Sequence, residues 1–316
     1  MFLSPVKSLL FSLVCVMSLW AYFPGPVAAF SLQPAILELA ADPGQEVAGS
    51  IDIANDEGRA RDFQITVQRF LAVGQEGRQE FLPPEEQEGL PSWIQIPRRV
   101  HLASGEVKHV DFGIRIPREA APGGYYVAIF FSAINQEEDG GSEKIVMGAR
   151  TGSLLLFTVR GNVHADIQVR SFQGQQPSPY WWPTSFDVFL ENKGSTHASP
   201  RGMIVLRNIF GQISHFIPIN TEGARVLPQS SRHFSMHWPE VKRDGGFWYN
   251  VAQEIRWFGI GLYQAEIVWL DESASSTHDR VKMVIIPWHL LLFFIVGALV
   301  LGIGLARRRL YRTSFS

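Results

Sequence analysis

Residues 107–131 read VKHVDFGIRIPREAAPGGYYVAIFF, and this stretch decides the fold class. From Val110 to Ile116 every second residue is apolar, and the residues between them are polar or glycine. This period of two predicts a strand with one buried and one solvated face. Pro122 presets a turn, the glycines after it accept a positive φ, and VAIFF begins a second strand. The stretch therefore predicts two strands of an antiparallel β-sandwich.

A tyrosine that follows such a turn can enter the core strand and hydrogen-bond back to the corner, which is typical of Ig-like sandwiches. The alternation recurs at 63–67 and at 234–238. Helical periodicity is almost absent between residues 30 and 286. The fold class is therefore predicted to be all-β and Ig-like.

Two landmarks repeat at one offset of 137 positions. Asn55, at the end of SIDIAN, matches Asn192, and Tyr126 matches Tyr263. A shared offset favours tandem copies of one fold, with chance similarity as the alternative. We predict Ig-like domains at 30–162 and 163–286, divided at Gly161-Asn162 and followed by one transmembrane helix.

The N-terminus has the three parts of a secretory signal peptide. Lys7 precedes an apolar run over 9–22, and Val-Ala-Ala at 27–29 fits a signal-peptidase site. We predict a signal peptide at 1–29; an uncleaved anchor is the alternative, and the helix-breaking Pro-Gly-Pro before the site argues against it. Cleavage would remove Cys15, the only cysteine, and with it disulfides, cysteine–zinc sites and cysteine nucleophiles.

A second apolar run lies near the C-terminus. The 19 residues from Trp288 to Ala306 would form a helix about 28 Å long, close to the hydrocarbon thickness of a bilayer. We predict a transmembrane helix at 287–306, where a buried core helix is the alternative, and a basic cytoplasmic tail at 307–316. The membrane-interface residues are predicted as Trp288, Arg307, Arg308 and Arg309. The arginines place the C-terminus in the cytoplasm and the ectodomain outside it, as a single-pass protein of the cell membrane.

The charge distribution argues against nucleic-acid binding. Residues 30–286 hold 23 Lys and Arg against 30 Asp and Glu, and a nucleic-acid surface needs an excess of bases. Within the predicted membrane helix, Ala298, Gly302 and Ala306 repeat every four residues. Such a seam of small residues allows close helix packing, so a homodimer through this helix is one hypothesis.

The motifs of enzymes and metal sites are missing from the sequence. The G-x-S-x-G, H-E-x-x-H and P-loop patterns do not occur. His233 and His237 would lie about 13 Å apart along one strand, too far for one zinc ion. The acidic runs at 85–88 and 137–139 lack calcium-loop spacing and are expected to be solvated loops. We therefore predict no catalytic residues, no metal and no cofactor.

Two aromatic runs are candidates for surface contacts. Three consecutive aromatics cannot all face the core of a pleated strand, so Tyr180, Trp181 and Trp182 are predicted to expose a ring that binds sugars or a partner. A contact between the domains or with the membrane is the alternative. A second group at 247–249, with Trp257 and Phe258, is expected in a loop that docks on lipid headgroups.

Five features follow one another along the chain. They are the stretch FSLQPAILELAADPGQEVAGSIDIANDEG at 30–58, the GGYYVAIFF strand at 123–131, the second Ig-like domain, the apolar helix and the basic tail. In this order the chain resembles the WxL-interacting surface proteins of bacteria. That resemblance implies a first domain that binds peptidoglycan and a second that engages surface partners. Similar motifs recur in other bacterial Ig-like domains, including pilus-chaperone-like ones.

The sequence thus predicts a non-catalytic, membrane-anchored surface protein whose ectodomain binds peptidoglycan, surface proteins or both. The lipid bilayer is the other predicted partner. The alternative is a membrane-tethered assembly factor whose first domain lends a strand edge to a secreted protein by β-augmentation.

The peptidoglycan hypothesis is tested by co-sedimentation of residues 30–286 with purified cell wall. We expect saturable binding, and loss of binding in a Trp181→Ala, Trp182→Ala variant, because stacking on sugar faces needs the rings. Absence of binding by the unsubstituted fragment would contradict the hypothesis.

Overall fold

The computed structural model describes residues 30–83, 85–86, 88–139, 142–175, 184–238, 246–256, 259–270 and 280–313. Its strands form two β-sandwiches, in agreement with the predicted all-β, Ig-like fold class. The predicted signal peptide at 1–29, the aromatic run Tyr180, Trp181 and Trp182, and the pair Trp257 and Phe258 lie outside the described residues.

The first sandwich packs a sheet of order β1-β3-β8-β6 against a sheet of order β2-β10-β9-β4-β5, in which β7 also pairs with β4. Its neighbours are antiparallel except β2 and β10, which run parallel. Phe63, Phe131 and Phe157 are fully buried at the centre of the core between the sheets. The strands are β1 Phe30–Gln33, β2 Ile36–Ala41, β3 Glu46–Asn55, β4 Arg61–Val73, β5 Arg78–Phe81, β6 Ile94–Gln95, β7 Arg99–Leu102, β8 Val107–Arg115, β9 Gly123–Asp139 and β10 Ser142–Val159.

The second sandwich packs a sheet of order β11-β12-β15 against one of order β14-β13-β16-β17. Its core is separate from the first and is centred on Phe186, Ile204 and Ala265. The strands are β11 Ile167–Gln175, β12 Thr184–Asn192, β13 Gly202–Asn208, β14 Ile213–Ile219, β15 Ser230–Trp238, β16 Gly261–Trp269 and β17 Arg280–Ile285.

Three helices complete the described chain: α1 Leu90–Trp93, α2 Phe247–Arg256 and α3 Trp288–Thr313. Helix α3 contains the stretch Trp288–Arg307, which has a mean hydropathy of 2.5 and is long and apolar enough to cross a membrane. Almost none of that stretch is buried against the rest of the chain, unlike the core helix that was the alternative. Helix α3 begins directly after Pro287, whose carbonyl accepts from the Leu291 amide at 3.0 Å.

The two sandwiches repeat one corner built on a buried asparagine. In the first, β1 pairs with β3 so that Phe30 faces Asn55; in the second, Ile167 faces Asn192 at the same offset. Both asparagines are fully buried, and each amide donates to the carbonyl four residues ahead, Arg59 or Thr196, at 2.9 and 2.8 Å. The landmark from the sequence therefore marks an equivalent hydrogen-bonding position in the two domains.

The tyrosine corner is also present. The Tyr125 hydroxyl donates to the Ala121 carbonyl at 2.9 Å, across the turn that begins β9. The next residue, Tyr126, lies on the opposite face of the strand and contacts His197 of the second domain. The Pro-Gly-Gly-Tyr-Tyr run thus supplies one tyrosine to the corner and one to the contact between the domains.

Two local predictions were wrong. The aromatic run at 247–249 begins helix α2 and does not lie in a loop, because burial of Val251 and Glu254 on one side of the segment favours a helix. The acidic run at 137–139 belongs to strand β9, since β9 and β10 form a hairpin that pairs as far as Asp139 and Ser142.

The buried asparagines are expected to stabilise their domains strongly. Asn192→Ala removes two amide bonds, to Thr196 and Val226, and two acceptor contacts, and leaves those groups buried. We expect a loss of about 3 kcal/mol in the free energy of unfolding of the second domain. Hydrogen exchange across residues 163–286 measures this free energy of unfolding. The control Asn162→Ala, at an exposed position, should change this free energy by less than about 0.5 kcal/mol. Equal losses of stability in the two variants would contradict the stabilising role of Asn192.

Candidate functional site

Strands β9 and β10 are apolar on both faces. Val127, Ile129 and Phe131 point into the first core, whereas Ala128 and Phe130 point to the opposite face of the same sheet. Strand β10 continues this pattern as Leu-Leu-Leu-Phe at 154–157. A strand with no polar side is expected where both faces of a sheet are covered.

The second domain covers that outer face. Leu227, which follows the β-bridge between Ala198 and Val226, packs with Phe70, Ala128 and Leu156 in a cluster separate from both cores. All four side chains are at least nine-tenths buried. The contact between the domains is therefore an apolar interface that holds the sandwiches against each other.

Hydrogen bonds surround this apolar contact. The Gly124 amide donates to the Ser195 carbonyl at 2.9 Å, and the hydroxyls of Thr158 and Thr196 lie 3.2 Å apart. The Tyr126 hydroxyl lies 3.3 Å from His197 Nδ1. These contacts join β9 and β10 to the 195–197 loop and fix how the two domains meet.

Charged groups close one side of the interface. Arg225 donates to the Glu38 carboxylate of strand β2, and His197 Nε2 lies 4.0 Å from the same carboxylate. Burial lowers the pKa of His197, Glu38 raises it, and Arg225 lowers it further. The pair of Arg225 and Glu38 links the second domain to the strand next to β10.

A cleft of about 260 Å³ opens beside this ion pair. Its first-domain side is mainly apolar and includes Ile36 and Leu154, whereas Glu222, Arg225 and Arg232 line the second-domain side. The Arg232 guanidinium donates to the Arg225 carbonyl at 2.8 Å, and burial lowers its pKa while Glu222 raises it. The cleft therefore offers a mainly apolar wall facing a wall with two arginines and one glutamate.

Next to this cleft, one edge of strand β10 is partly unpaired among the described residues. Strand β2 pairs with it only from Leu154 to Val159. From Ser142 to Ser153, β10 pairs with β9 on one side, and no other strand of the described chain pairs with it on the other. The Ser153 hydroxyl donates to the Pro34 carbonyl at 2.7 Å and marks the point where the chain before β2 turns away from β10.

The direction of the backbone amides identifies the free groups. The Leu154 amide points to the β2 side, since it donates to the Ala35 carbonyl at 2.9 Å. Alternate residues of a strand point the same way, so the amides of Gly152 and Arg150 also face the open edge. Neither amide has an acceptor on that side among the described residues.

The open edge belongs to the β9–β10 hairpin, which extends beyond the other strands of its sheet. Strand β4 pairs with β9 only as far as Ile134, and the hairpin beyond it has two strands. A β-bulge at Gly148 and Ala149 lies at the same level, opposite Ala133. Below the bulge, the Arg150 guanidinium lies 3.6 Å from the centre of the Phe130 ring. Arg150 and Phe130 thus lie at the base of the two-stranded part of the hairpin.

The residues that the sequence singled out do not gather into a catalytic or metal site. His233 Nε2 lies 2.8 Å from Asp187, and its ring stacks on Phe189 at 4.4 Å, whereas His237 is exposed. His233 is therefore a half-buried strand histidine with a carboxylate partner. Within the described ranges, no group of three or more His, Cys, Asp or Glu could hold a metal ion.

The predicted membrane-interface residues all lie on helix α3. Trp288 begins the helix, Arg307 is exposed on it, and Arg308 and Arg309 follow in the same helix. Their place at the lipid surface stays a prediction, as does the homodimer seam of Ala298, Gly302 and Ala306.

No residues could be predicted for the strand edge that the sequence suggests as an alternative. The Leu-Leu-Leu-Phe run of β10 indicates burial on both faces, but it lies in the part of the strand that β2 covers and not on the open edge. What could not be read from it is where β2 stops pairing with β10, since that depends on a contact 119 residues away.

Comparison with known proteins finds fold likenesses only. No family model matches the chain, and no curated protein matches it. Solved structures that match include the class 5 fimbriae chaperone CfaA, at 10% identity over 82% of this chain and 100% of that one, with a TM-score of 0.39. The CsuC–CsuE chaperone–tip subunit complex of Acinetobacter baumannii matches at 11% identity, 82% and 100% coverage and a TM-score of 0.36.

The E. coli chaperone DraB matches at 11% identity over 82% of this chain and 97% of that one, with a TM-score of 0.34. At these values the likenesses carry no argument about what this chain binds. Membership of the WxL-interacting family stays a prediction, because none of these comparisons tests it.

Proposed function

We propose that this protein is a membrane-tethered binding protein that holds an extended segment of a secreted or surface protein by adding it as a strand to β10. The observation that carries the proposal is the edge of β10 from Ser142 to Ser153, which no described strand covers. Main-chain hydrogen bonds to such an edge are a general means of peptide capture.

The length of the edge supports this role. Twelve residues of strand extend for about 40 Å, enough to pair with a long segment of a partner. Natural proteins usually cover or interrupt exposed edges because they attract other strands. Here β2 covers the lower part, between Leu154 and Val159, and leaves the upper part open.

The surroundings of the edge fit an added strand. The strand would lie beyond the start of β2, past Pro34, and would enter the cleft beside Ile36. Alternate side chains of an added strand point to opposite faces of a sheet, so one set would meet the apolar wall around Leu154. The other wall carries Arg225, Arg232 and Glu222, so it suits polar side chains of the segment.

Tethering to the membrane and a non-catalytic role are part of the proposal. Helix α3 would anchor the ectodomain, and the arginines near its C-terminal end would lie in the cytoplasm. Peptidoglycan binding, inferred from Trp181 and Trp182, stays a separate prediction because those residues lie outside the described ranges.

The proposal is tested with a photo-cross-linking residue introduced into the full chain in cells. Thr151 is exposed on the open part of β10, and Asp111 is an exposed control on β8 of the other sheet. We expect position 151 to cross-link one secreted or surface protein through one segment of its sequence, and position 111 to give no such product. The same products from both positions, or none from position 151, would contradict the proposal.

A proline at Arg150 tests the hydrogen-bonding edge itself. Arg150→Pro removes an amide that faces the open edge and leaves the β9 side of the ladder intact. We expect it to abolish the cross-link from position 151. Arg150→Ala removes the same side chain but keeps the amide, so it should retain the cross-link; equal loss in both variants would mean that the side chain, and not the edge, binds.

A further inference from the structure

The sheets of the second domain share one end with the start of helix α3. Strand β17 ends at Ile285, which pairs with Gly261 at the beginning of β16, and α3 begins three residues later. Strand β13 ends at the same level, because Asn208 pairs with Tyr263. The turn between β13 and β14 therefore lies at the end of the domain from which the apolar helix leaves.

That turn presents apolar side chains to the surroundings. Phe210 is 80% exposed and Ile209 is 64% exposed, and the turn at 209–212 contains no charged residue. Asn208 holds its shape, since its side-chain oxygen accepts from the Phe210 and Gln212 amides at 3.0 Å each. Two large apolar side chains on an ordered turn need a partner that accepts them.

Helix α2 lies at the same end and is joined to α3. Glu254 is buried and its carboxylate accepts from the Leu290 amide at 2.7 Å and from the His289 amide at 3.2 Å. These are amides of the first turn of α3, which have no partner within the helix. His289 Nδ1 also lies 2.7 Å from the same carboxylate. The contact fixes α2 against the base of the apolar helix.

The aromatic side of α2 continues along that helix. The Trp248 and Phe293 ring centres are 5.8 Å apart, and Phe293 lies within the stretch that is long and apolar enough to cross a membrane. Trp248 is nevertheless 68% exposed. A tryptophan beside the first turns of a membrane-spanning helix lies at the depth of the lipid headgroups, where its ring is most stable.

We propose that this end of the second domain is a lipid-contacting surface, formed by Ile209 and Phe210 on the β13–β14 turn and by Trp248 on α2. Through this surface the ectodomain contacts the outer headgroup region of the membrane that α3 crosses. The partner is the bilayer itself, because the surface is continuous with α3 through the contact of Trp248 with Phe293. This surface is distinct from the β10 edge, so the two proposals can fail separately.

The test uses the full chain reconstituted in phosphatidylcholine–phosphatidylglycerol vesicles. Cys15 is the only native cysteine, so Cys15→Ser permits one introduced cysteine to carry an environment-sensitive fluorophore. The label is placed at Phe210→Cys, at the matched position Phe216→Cys on strand β14, and at Leu299→Cys within α3. Phe216 is also exposed, but it pairs with Val205, about 10 Å farther from the turn.

Lipids with a quencher near the headgroups should reduce the fluorescence of the label at 210 and leave the label at 216 unchanged. The label at 299 should respond to a quencher deep in the acyl chains. If 299 responds and 210 does not, the docking surface is wrong while α3 still spans the membrane. If 299 does not respond, the membrane span and the surface are both wrong. Equal quenching at 210 and 216 would also contradict seating through the turn.

Discussion

The burial of the β9–β10 sheet on both faces is the constraint on which the rest of the structure depends. One face packs into the first core, and the other needs a cover because Ala128, Leu154 and Leu156 would otherwise meet water. The second domain supplies that cover through Leu227, and the bonds from Gly124 and Thr158 fix its position. The mutual placement of the domains therefore follows from the apolar sequence of two strands.

The same constraint separates two surfaces with different roles. Away from the contact between the domains, β10 extends beyond its pairing with β2 and exposes main-chain groups from Ser142 to Ser153. We place the partner segment on this edge. At the opposite end of the second domain, α2 is fixed to the base of α3 by Glu254, which is where we place the lipid surface. A rigid contact between the domains would hold the β10 edge at a defined position relative to the membrane.

Much of the fold could be predicted because it depends on local patterns. Alternation predicted β8, with Phe112 and Ile114 buried, and the recurrence of Asn55 at Asn192 marked the repeated corner. The site could not be predicted in this way. The point at which β2 and β10 stop pairing depends on the contact of Ser153 with Pro34, which is distant in sequence. Helix α2 forms because the Glu254 carboxylate accepts from amides of α3. Short segments stabilised by distant contacts carry little signal of their own.

The most direct test of the open edge is amide hydrogen exchange in the free protein, measured residue by residue along β10. The amides of Thr151 and Ser153 face β9, whereas those of Arg150 and Gly152 face the open side. The account predicts slow exchange at 151 and 153 and fast exchange at 150 and 152, with the latter pair becoming slow when a partner segment is bound. Slow exchange at all four positions in the free protein would show that the edge is already covered, and would contradict the account.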